Sequence, residues 1–217
     1  GAAGDGIARL PDGRTCFVPR GLPGEVLRAR PAGRRGDALL AEAEALLRPS
    51  PDRVAPPCPH FGACGGCALQ HWADAPYAEW KRAKLVDALA RAGFPGAPVA
   101  PLLRTPPGTR RRADLALRRG PGGVVLGFHA PGSGAVVDLA GCAVLDPCLV
   151  ALFGPLRNLL RGLKALKREG SAVLNLLETG PDLLLRTDGA LDAAGRAALA
   201  AFAGAHGLPR IAWAQGN

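Results

Sequence analysis

Three cysteines lie close together in the segment CPHFGACGGCALQH, which runs from Cys58 to His71. Their spacing is C-x5-C-x2-C, and the closer pair encloses two glycines. Thiolates at such spacing can bind one metal ion or cluster, and glycines let the backbone turn tightly around it. The segment therefore predicts a metal centre with Cys58, Cys64 and Cys67 among its ligands.

A fourth ligand has to come from a distant part of the chain. Cys142 is the candidate, because it follows a predicted strand and a glycine in the stretch DLAGCAVLDP. Cys16 and Cys148 are predicted to be core residues. Zinc is the alternative to an iron–sulfur cluster, with His60 or His71 completing its coordination. Structural zinc sites typically use close pairs of ligands, so three close thiols and one distant thiol favour the cluster.

The charge of the chain predicts a polyanionic partner. The 217 residues include 27 Lys and Arg against 18 Asp and Glu, for a net charge of +9. This excess favours nucleic acid over a membrane surface, although an arginine-rich codon bias would produce part of it. The sequence shows neither an apolar run of membrane-spanning length nor an export signal. Clustered thiols without export predict a cytoplasmic protein, and we expect a monomer.

Turn residues and prolines divide the chain into four segments. Residues 1–48 hold short apolar runs between turns and predict a small β-barrel, although 37–47 (DALLAEAEALL) consists of strong helix formers. Residues 49–57 are a proline-rich linker, and 58–94 combine the cysteine motif with a helix from 74. Residues 95–217 predict an α+β domain with a mainly antiparallel sheet.

Within the last segment, paired strands alternate with single helices. The helices are predicted at 147–168 and 191–206. The strands are predicted at 112–118, 123–129, 135–140, 171–178, 182–187 and 210–215.

The cysteine segment, the WKRAKL of the following helix and the later GCAVLDP together resemble the iron–sulfur-containing RNA uracil-C5 methyltransferases. The stretch GDGIARLPDGRTCFVPRGLPGE, at 4–25, resembles the RNA-binding TRAM domain that begins many members of that family. The resemblance implies that Cys58, Cys64, Cys67 and Cys142 bind a [4Fe–4S] cluster. It also implies a barrel strand at 37–47, against the local helix propensity.

The reaction implied by this resemblance is formation of 5-methyluridine with S-adenosylmethionine, and the closest branch favours 23S ribosomal RNA over transfer RNA. Such a reaction needs a Rossmann-like domain with a Gly-rich loop, a nucleophilic cysteine and a carboxylate base. The sequence shows no such apparatus, so it names no catalytic or cofactor-binding residue. We expect the Rossmann-like domain to be absent and this chain to be the N-terminal part, which binds RNA without catalysing.

Residues predicted to contact RNA lie in the barrel, the cysteine segment and an arginine run. They are Phe17, Arg20, Arg34, Arg35, His71, Arg110, Arg111 and Arg112. The alternative function is a stand-alone RNA-binding module that holds zinc or a cluster and has no methyltransferase activity. A radical S-adenosylmethionine enzyme is disfavoured, because its motif is C-x3-C-x2-C and the first gap here is five residues.

Overall fold

The computed structural model describes residue 1 and residues 4–216. The chain forms two compact units. The first unit comprises 1–59 and 67–104, and the second comprises 60–66 and 105–217. In the described part of the chain, no helix combines the length and apolar character needed to cross a membrane.

The first unit contains a four-stranded sheet and one long helix, α1. The strands lie in the order β1-β2-β4-β3, and of these pairs only β2–β4 is parallel. The bounds are Gly6–Arg9 (β1), Thr15–Val18 (β2), Val26–Arg35 (β3), Ala38–Arg48 (β4) and Asp74–Arg91 (α1).

Strand β4 confirms the strand predicted over 37–47, beginning at Ala38, despite the helix propensity of these residues. Its partner β3 runs antiparallel to it along nearly its whole length, with several register shifts. The small core of this sheet contains Cys16, Val18 and Ala41, each less than 9% exposed. Pairing with β3 and burial of Ala41 thus outweigh the intrinsic helix preference of the β4 residues, which is about a few tenths of a kcal/mol per residue.

The second unit contains a six-stranded sheet and three helices. The six predicted strands are all present, whereas the single helix predicted at 147–168 is divided in two. The bounds are Arg112–Gly120 (β5), Gly123–His129 (β6), Val136–Asp138 (β7), Pro147–Val150 (α2), Phe153–Gly162 (α3), Glu169–Leu177 (β8), Gly180–Thr187 (β9), Ala193–His206 (α4) and Arg210–Gln215 (β10).

The strands of this second sheet lie in the order β10-β9-β8-β5-β6-β7. Alternation along β5 buries Ala113, Leu115 and Leu117 on one face, where α3 and α4 contribute Leu156 and Phe202 to the same core. The described strand pairs are antiparallel except β9–β10, which are parallel and joined by α4. These three elements form a βαβ unit.

Arg119 joins the sheet to the end of α3. Its guanidinium donates hydrogen bonds to main-chain carbonyls in the last turn of α3 and the turn after it. These acceptors are Leu160, Arg161 (3.1 Å), Leu163 (3.2 Å) and Leu166 (2.7 Å). A cation at a helix C-terminus also interacts favourably with the helix dipole.

We expect Arg119→Met to lower the free energy of unfolding of the second unit by about 2 kcal/mol, because it leaves several carbonyls without a donor. Urea unfolding followed by circular dichroism measures this change. Arg118→Met is the matched control, since exposed Arg118 makes one ion pair, with Glu169 at 2.9 Å. This control substitution should lower the free energy of unfolding by less than about 1 kcal/mol. Equal effects of the two variants would contradict the role of Arg119.

Candidate metal centre and nucleic-acid interface

The loop 60–66 is attached to the second unit by main-chain hydrogen bonds. The amide of Gly65 donates to the carbonyl of His129 (2.9 Å), whereas the bond from the amide of Cys64 to the carbonyl of His60 (2.8 Å) lies within the loop. A Cβ at Gly65 would lie 2.7 Å from that His129 oxygen, so a larger residue cannot hold this position without a backbone shift. The glycine therefore serves the close approach of two backbones.

Two of the four predicted cluster ligands, Cys64 and Cys142, belong to the second unit and pack against its core. The amide of Gly66 lies 3.4 Å from the Cys64 sulfur, in the geometry of an N–H donor to a thiolate. Cys58 and Cys67 belong to the first unit. No disulfide joins any of the six cysteines.

The described residues contain no group of three or more His, Cys, Asp or Glu side chains gathered to hold a metal ion. The described structure therefore packs the thiols of Cys64 and Cys142 against the same core but does not bring enough ligands together for a metal site. The zinc alternative through His60 is weakened, because the Ala140 amide donates to its Nε2 at 3.3 Å and occupies that lone pair.

The remaining two cysteines differ from each other. Cys16 is 6% exposed and is a core residue, as predicted. Cys148 is exposed, so the prediction that it is a core residue is wrong. A hydrogen bond with the Asp146 carboxylate raises the pKa of the Cys148 thiol. A raised pKa is the opposite of what activates a thiol nucleophile, and we assign Cys148 no catalytic role.

The predicted RNA contacts of the first sheet are on its surface. Arg20 and Arg34 are exposed. Arg35 lies over the ring of half-buried Phe17, with 5.1 Å between its Cζ atom and the ring centroid, and also pairs with Asp5 at 3.5 Å. An arginine over an aromatic ring can be exchanged for a stacked base at modest cost. These four positions stay predictions as RNA contacts.

His71 does not fit its predicted stacking role. Its side chain is 2% exposed, and its Nε2 lies 2.9 Å from the carbonyl of Arg20. Burial lowers the pKa of His71, which favours the neutral ring. The buried ring cannot stack on a base in this conformation, so we correct this prediction.

Only part of the arginine run lies in a strand. Arg112 begins β5, which agrees with the strand predicted from 112, whereas Arg110 and Arg111 precede it. All three residues are exposed, and Arg111 Nε donates to the carbonyl of Leu176 at 2.9 Å. The main chain of Arg110 forms hydrogen bonds with Val144 and Asp146, which are distant in sequence, instead of joining the ladder between β5 and β8.

A buried ion pair links the linker to the first sheet. The Glu25 side chain is 1% exposed and pairs with Arg53, and it also accepts from the amides of Leu22 (2.9 Å) and Ser50 (3.3 Å). Burial alone would raise the pKa of Glu25, but these hydrogen bonds outweigh it and lower the pKa to about 2. Residues 49–57 are thus tied to the first unit.

An aromatic and lysine cluster at the start of α1 was missed in the sequence. Trp72, Tyr77 and Trp80 lie within 5.4 to 6.4 Å of one another between ring centroids. The Nζ atoms of Lys81 and Lys84 lie 5.6 Å and 4.5 Å from the Trp80 ring centroid. In the sequence, the spacing of aromatic residues and lysines in YAEWKRAK indicates that they share one face of a helix, and this pattern could have predicted the cluster.

No protein-family model matches the chain. Sequence comparison finds an RNA methyltransferase of Caulobacter vibrioides, 42% identical over 94% of this chain and 50% of the relative. A Brucella suis RNA methyltransferase is 44% identical over 93% of this chain and 47% of the relative. The 23S rRNA (uracil(1939)-C(5))-methyltransferase RlmD of Bordetella parapertussis is 39% identical over 94% of this chain and 44% of the relative. The chain thus spans about half the length of the curated relatives it matches.

Among solved structures, a Pyrococcus abyssi tRNA (uracil-54, C5)-methyltransferase in complex with S-adenosyl-L-homocysteine shares the fold. The TM-score is 0.59 at 22% identity, over 91% of this chain and 49% of that chain.

These comparisons contradict the prediction that the chain is a non-catalytic N-terminal part with the Rossmann-like methyltransferase domain absent. The chain aligns with methyltransferases over nearly all its residues and shares its fold with one of them. In the second unit β9, α4 and β10 form a parallel βαβ unit, a connection that Rossmann-like sheets also contain, and the other described strand pairs of that sheet are antiparallel. The alternative of a stand-alone binding module is likewise not supported.

The sequence relationship extends across both units and both cysteine segments. The chain is therefore homologous to part of the RNA methyltransferases, among them the uracil-C5 methyltransferases of 23S ribosomal RNA.

Proposed function

We propose that the protein containing this chain transfers a methyl group from S-adenosylmethionine to C5 of a uracil in RNA, and that 23S ribosomal RNA is the substrate. The observation that carries this proposal is the 39% identity to a 23S rRNA uracil-C5 methyltransferase over 94% of the chain. The fold shared with a methyltransferase solved with S-adenosyl-L-homocysteine supports the same cofactor. We place the activity in the cytoplasm, where a reducing environment keeps thiols free of disulfides.

The charge of the chain supports RNA as the substrate. Its net charge is +9, and exposed Arg20, Arg34 and Arg112 are available to phosphates. Each neutralised phosphate steepens the dependence of log affinity on log salt concentration by roughly 0.7 to 0.9. RNA binding by this protein should therefore weaken strongly as salt rises.

The test of methyl transfer uses the full-length protein with radiolabelled S-adenosylmethionine. We expect label to enter a 23S rRNA transcript and to appear as 5-methyluridine after nuclease digestion. Label in transfer RNA but not in the rRNA transcript would overturn the proposed substrate. No 5-methyluridine in either RNA would overturn the proposed reaction.

We further propose that Cys58, Cys64, Cys67 and Cys142 hold a [4Fe–4S] cluster. The support is the C-x5-C-x2-C spacing, the packing of Cys64 and Cys142 on one core, and the Gly66 amide beside the Cys64 sulfur. N–H donors to cluster sulfurs are a common means of tuning such centres. The cluster would supply a cross-link between distant chain segments.

Metal analysis tests this proposal directly. Anaerobically purified protein should contain about four irons and four sulfides per chain, with broad absorbance in the visible range. Cys142→Ser should lose most of the iron and the absorbance. Cys148→Ser is the control and should retain both, since Cys148 is exposed and outside the proposed ligand set. One zinc without sulfide, or full iron in Cys142→Ser, would overturn the proposed ligand set.

A further inference from the structure

A cavity in the first unit lies where the turns flanking β1 and β2 meet the start of α1. Its volume is about 290 Å³, and its lining includes backbone of Gly6 and Gly21 together with Trp72 and Trp80. This volume is at the lower end of small-ligand sites and suits a single ring system better than a larger molecule.

The wall of this cavity depends on glycine. A Cβ at Gly6 would lie 2.9 Å from the backbone of Gly21, so two chain segments pass each other in direct contact. Gly4, at φ +93°, adopts a conformation that other residues rarely take, and lies against Leu69. Such close passage leaves peptide edges exposed along this part of the cavity wall.

The floor of the cavity is aromatic. The Trp72 and Trp80 ring centroids are 5.4 Å apart with tilted planes. Trp72 is 9% exposed, and its indole Nε1 is buried with no hydrogen-bond partner among the described residues. A buried N–H without an acceptor costs free energy, and it is usually satisfied in a native state by a bound group or water.

Charges of both signs surround this aromatic floor. Lys81 and Lys84 hold their Nζ atoms 5.6 Å and 4.5 Å from the Trp80 centroid, and they are two of only four lysines in the chain. Asp5 and Glu25 also line the cavity, but the Glu25 carboxylate is 1% exposed and already forms an ion pair. The lysines can attract a phosphate, and the Asp5 carboxylate can accept an N–H group of a base.

We infer that this cavity binds one nucleobase of a single-stranded RNA segment, with the base stacked on Trp80 and its phosphate at Lys81 and Lys84. Stacking on an aromatic side chain accepts any base, while the lysines contact the backbone. The inference rests on the proposed function, because it names an RNA contact of the same protein. It places this contact at α1, apart from the arginines singled out in the sequence.

Fluorescence titration with a hexauridylate tests this site. The experiment uses a Trp213→Phe background, which removes the tryptophan of the second unit and leaves Trp72 and Trp80 as reporters. We expect quenching on binding. Trp80→Ala should weaken binding about tenfold, whereas Trp80→Phe should stay within about threefold because it keeps a stacking surface.

A second pair of variants covers the case in which Trp80→Ala fails to fold. Lys81→Ala with Lys84→Ala should lower the salt slope of hexauridylate affinity by roughly 1.4, two phosphates on a single strand. Exposed Lys164→Ala is the control and should leave the slope unchanged.

Three results would overturn the inference. Unchanged hexauridylate affinity in folded Trp80→Ala, or an unchanged salt slope in the double lysine variant, would make the aromatic and lysine cluster a small hydrophobic core only. The third is equal quenching by an RNA hairpin without unpaired bases. If methyl transfer to RNA fails while Trp80-dependent quenching persists, the proposed function is wrong and the stacking site stands.

Discussion

Replacing Gly127 with alanine is expected to abolish cooperative folding of the second unit. Gly127 lies in β6 between β5 and β7, opposite Ala116 and Asp138. An added Cβ would lie 1.9 Å from the Val137 carbonyl oxygen and 2.9 Å from Leu139 Cγ. Because the nearest atom belongs to a paired backbone, a rotamer change cannot relieve the overlap. The loss should exceed about 4 kcal/mol, the range of severe overpacking.

Urea unfolding followed by circular dichroism measures this loss, with Gly120→Ala as the control. Gly120 also lies in the sheet, at the end of β5, but a Cβ there would meet nothing within 4 Å. The control should change the free energy of unfolding by less than about 1 kcal/mol. If Gly127→Ala unfolds at the same urea concentration as the unchanged chain, the pairing of β6 with β7 is not as described.

Replacing Glu25 with glutamine is expected to destabilise the first unit by about 3 kcal/mol at neutral pH. This loss corresponds to the lowering of the Glu25 pKa from 4.5 to about 2, at roughly 1.36 kcal/mol for each pKa unit. Glutamine leaves the Arg53 guanidinium without a counter-charge beside a buried site. Tryptophan fluorescence in the Trp213→Phe background follows unfolding of this unit.

The pH dependence of this effect has a definite sign. A carboxylate with a lowered pKa in the folded state stabilises the fold above its unfolded pKa, near 4.5, and loses that contribution as pH falls toward 2. The difference between the unchanged chain and Glu25→Gln should therefore be full at pH 7 and shrink between pH 4.5 and 2. A difference that stays constant across this range would contradict the lowered pKa.

Glu79→Gln provides the comparison for Glu25. The Glu79 side chain is 68% exposed and pairs with Arg82 at 3.2 Å across one turn of α1. Exposed pairs of this kind contribute less than about 1 kcal/mol. Glu79→Gln should therefore have little effect at any pH, so a large effect would point to a general charge effect rather than to the buried pair.

Much of the secondary structure could be predicted from local patterns. The strand over Arg112–Gly120 follows from alternating apolar residues, and the helix over Asp74–Arg91 follows from periodicity and its glycine stop at 93. The prediction of a single helix at 147–168 is wrong, because apolar residues continue through the break between α2 and α3, and periodicity alone does not show where a helix is interrupted.

The candidate site residues likewise divide into those that local sequence indicates and those that depend on the tertiary structure. Cysteine spacing is a local property, so Cys58, Cys64 and Cys67 could be selected from the sequence as candidate ligands, and Cys142 was added because it follows a predicted strand and a glycine. The burial of His71 and the exposure of Cys148 could not be predicted, because the first depends on contact with Arg20, which is distant in sequence, and the second on which face of α2 packs against the core. The methyltransferase fold was also missed, because its recognition needed the comparison of whole chains.

The sequence by itself determined the thiol-rich motif, the basic charge and most element positions, since these depend on residue type and near neighbours. Only the tertiary structure decided that Glu25 is a buried group with a lowered pKa and that Trp72 and Trp80 line one cavity. The physical reason is that burial and long-range hydrogen bonds depend on which residues the fold brings together. Their contributions to stability exceed local propensities, which are about a few tenths of a kcal/mol per residue.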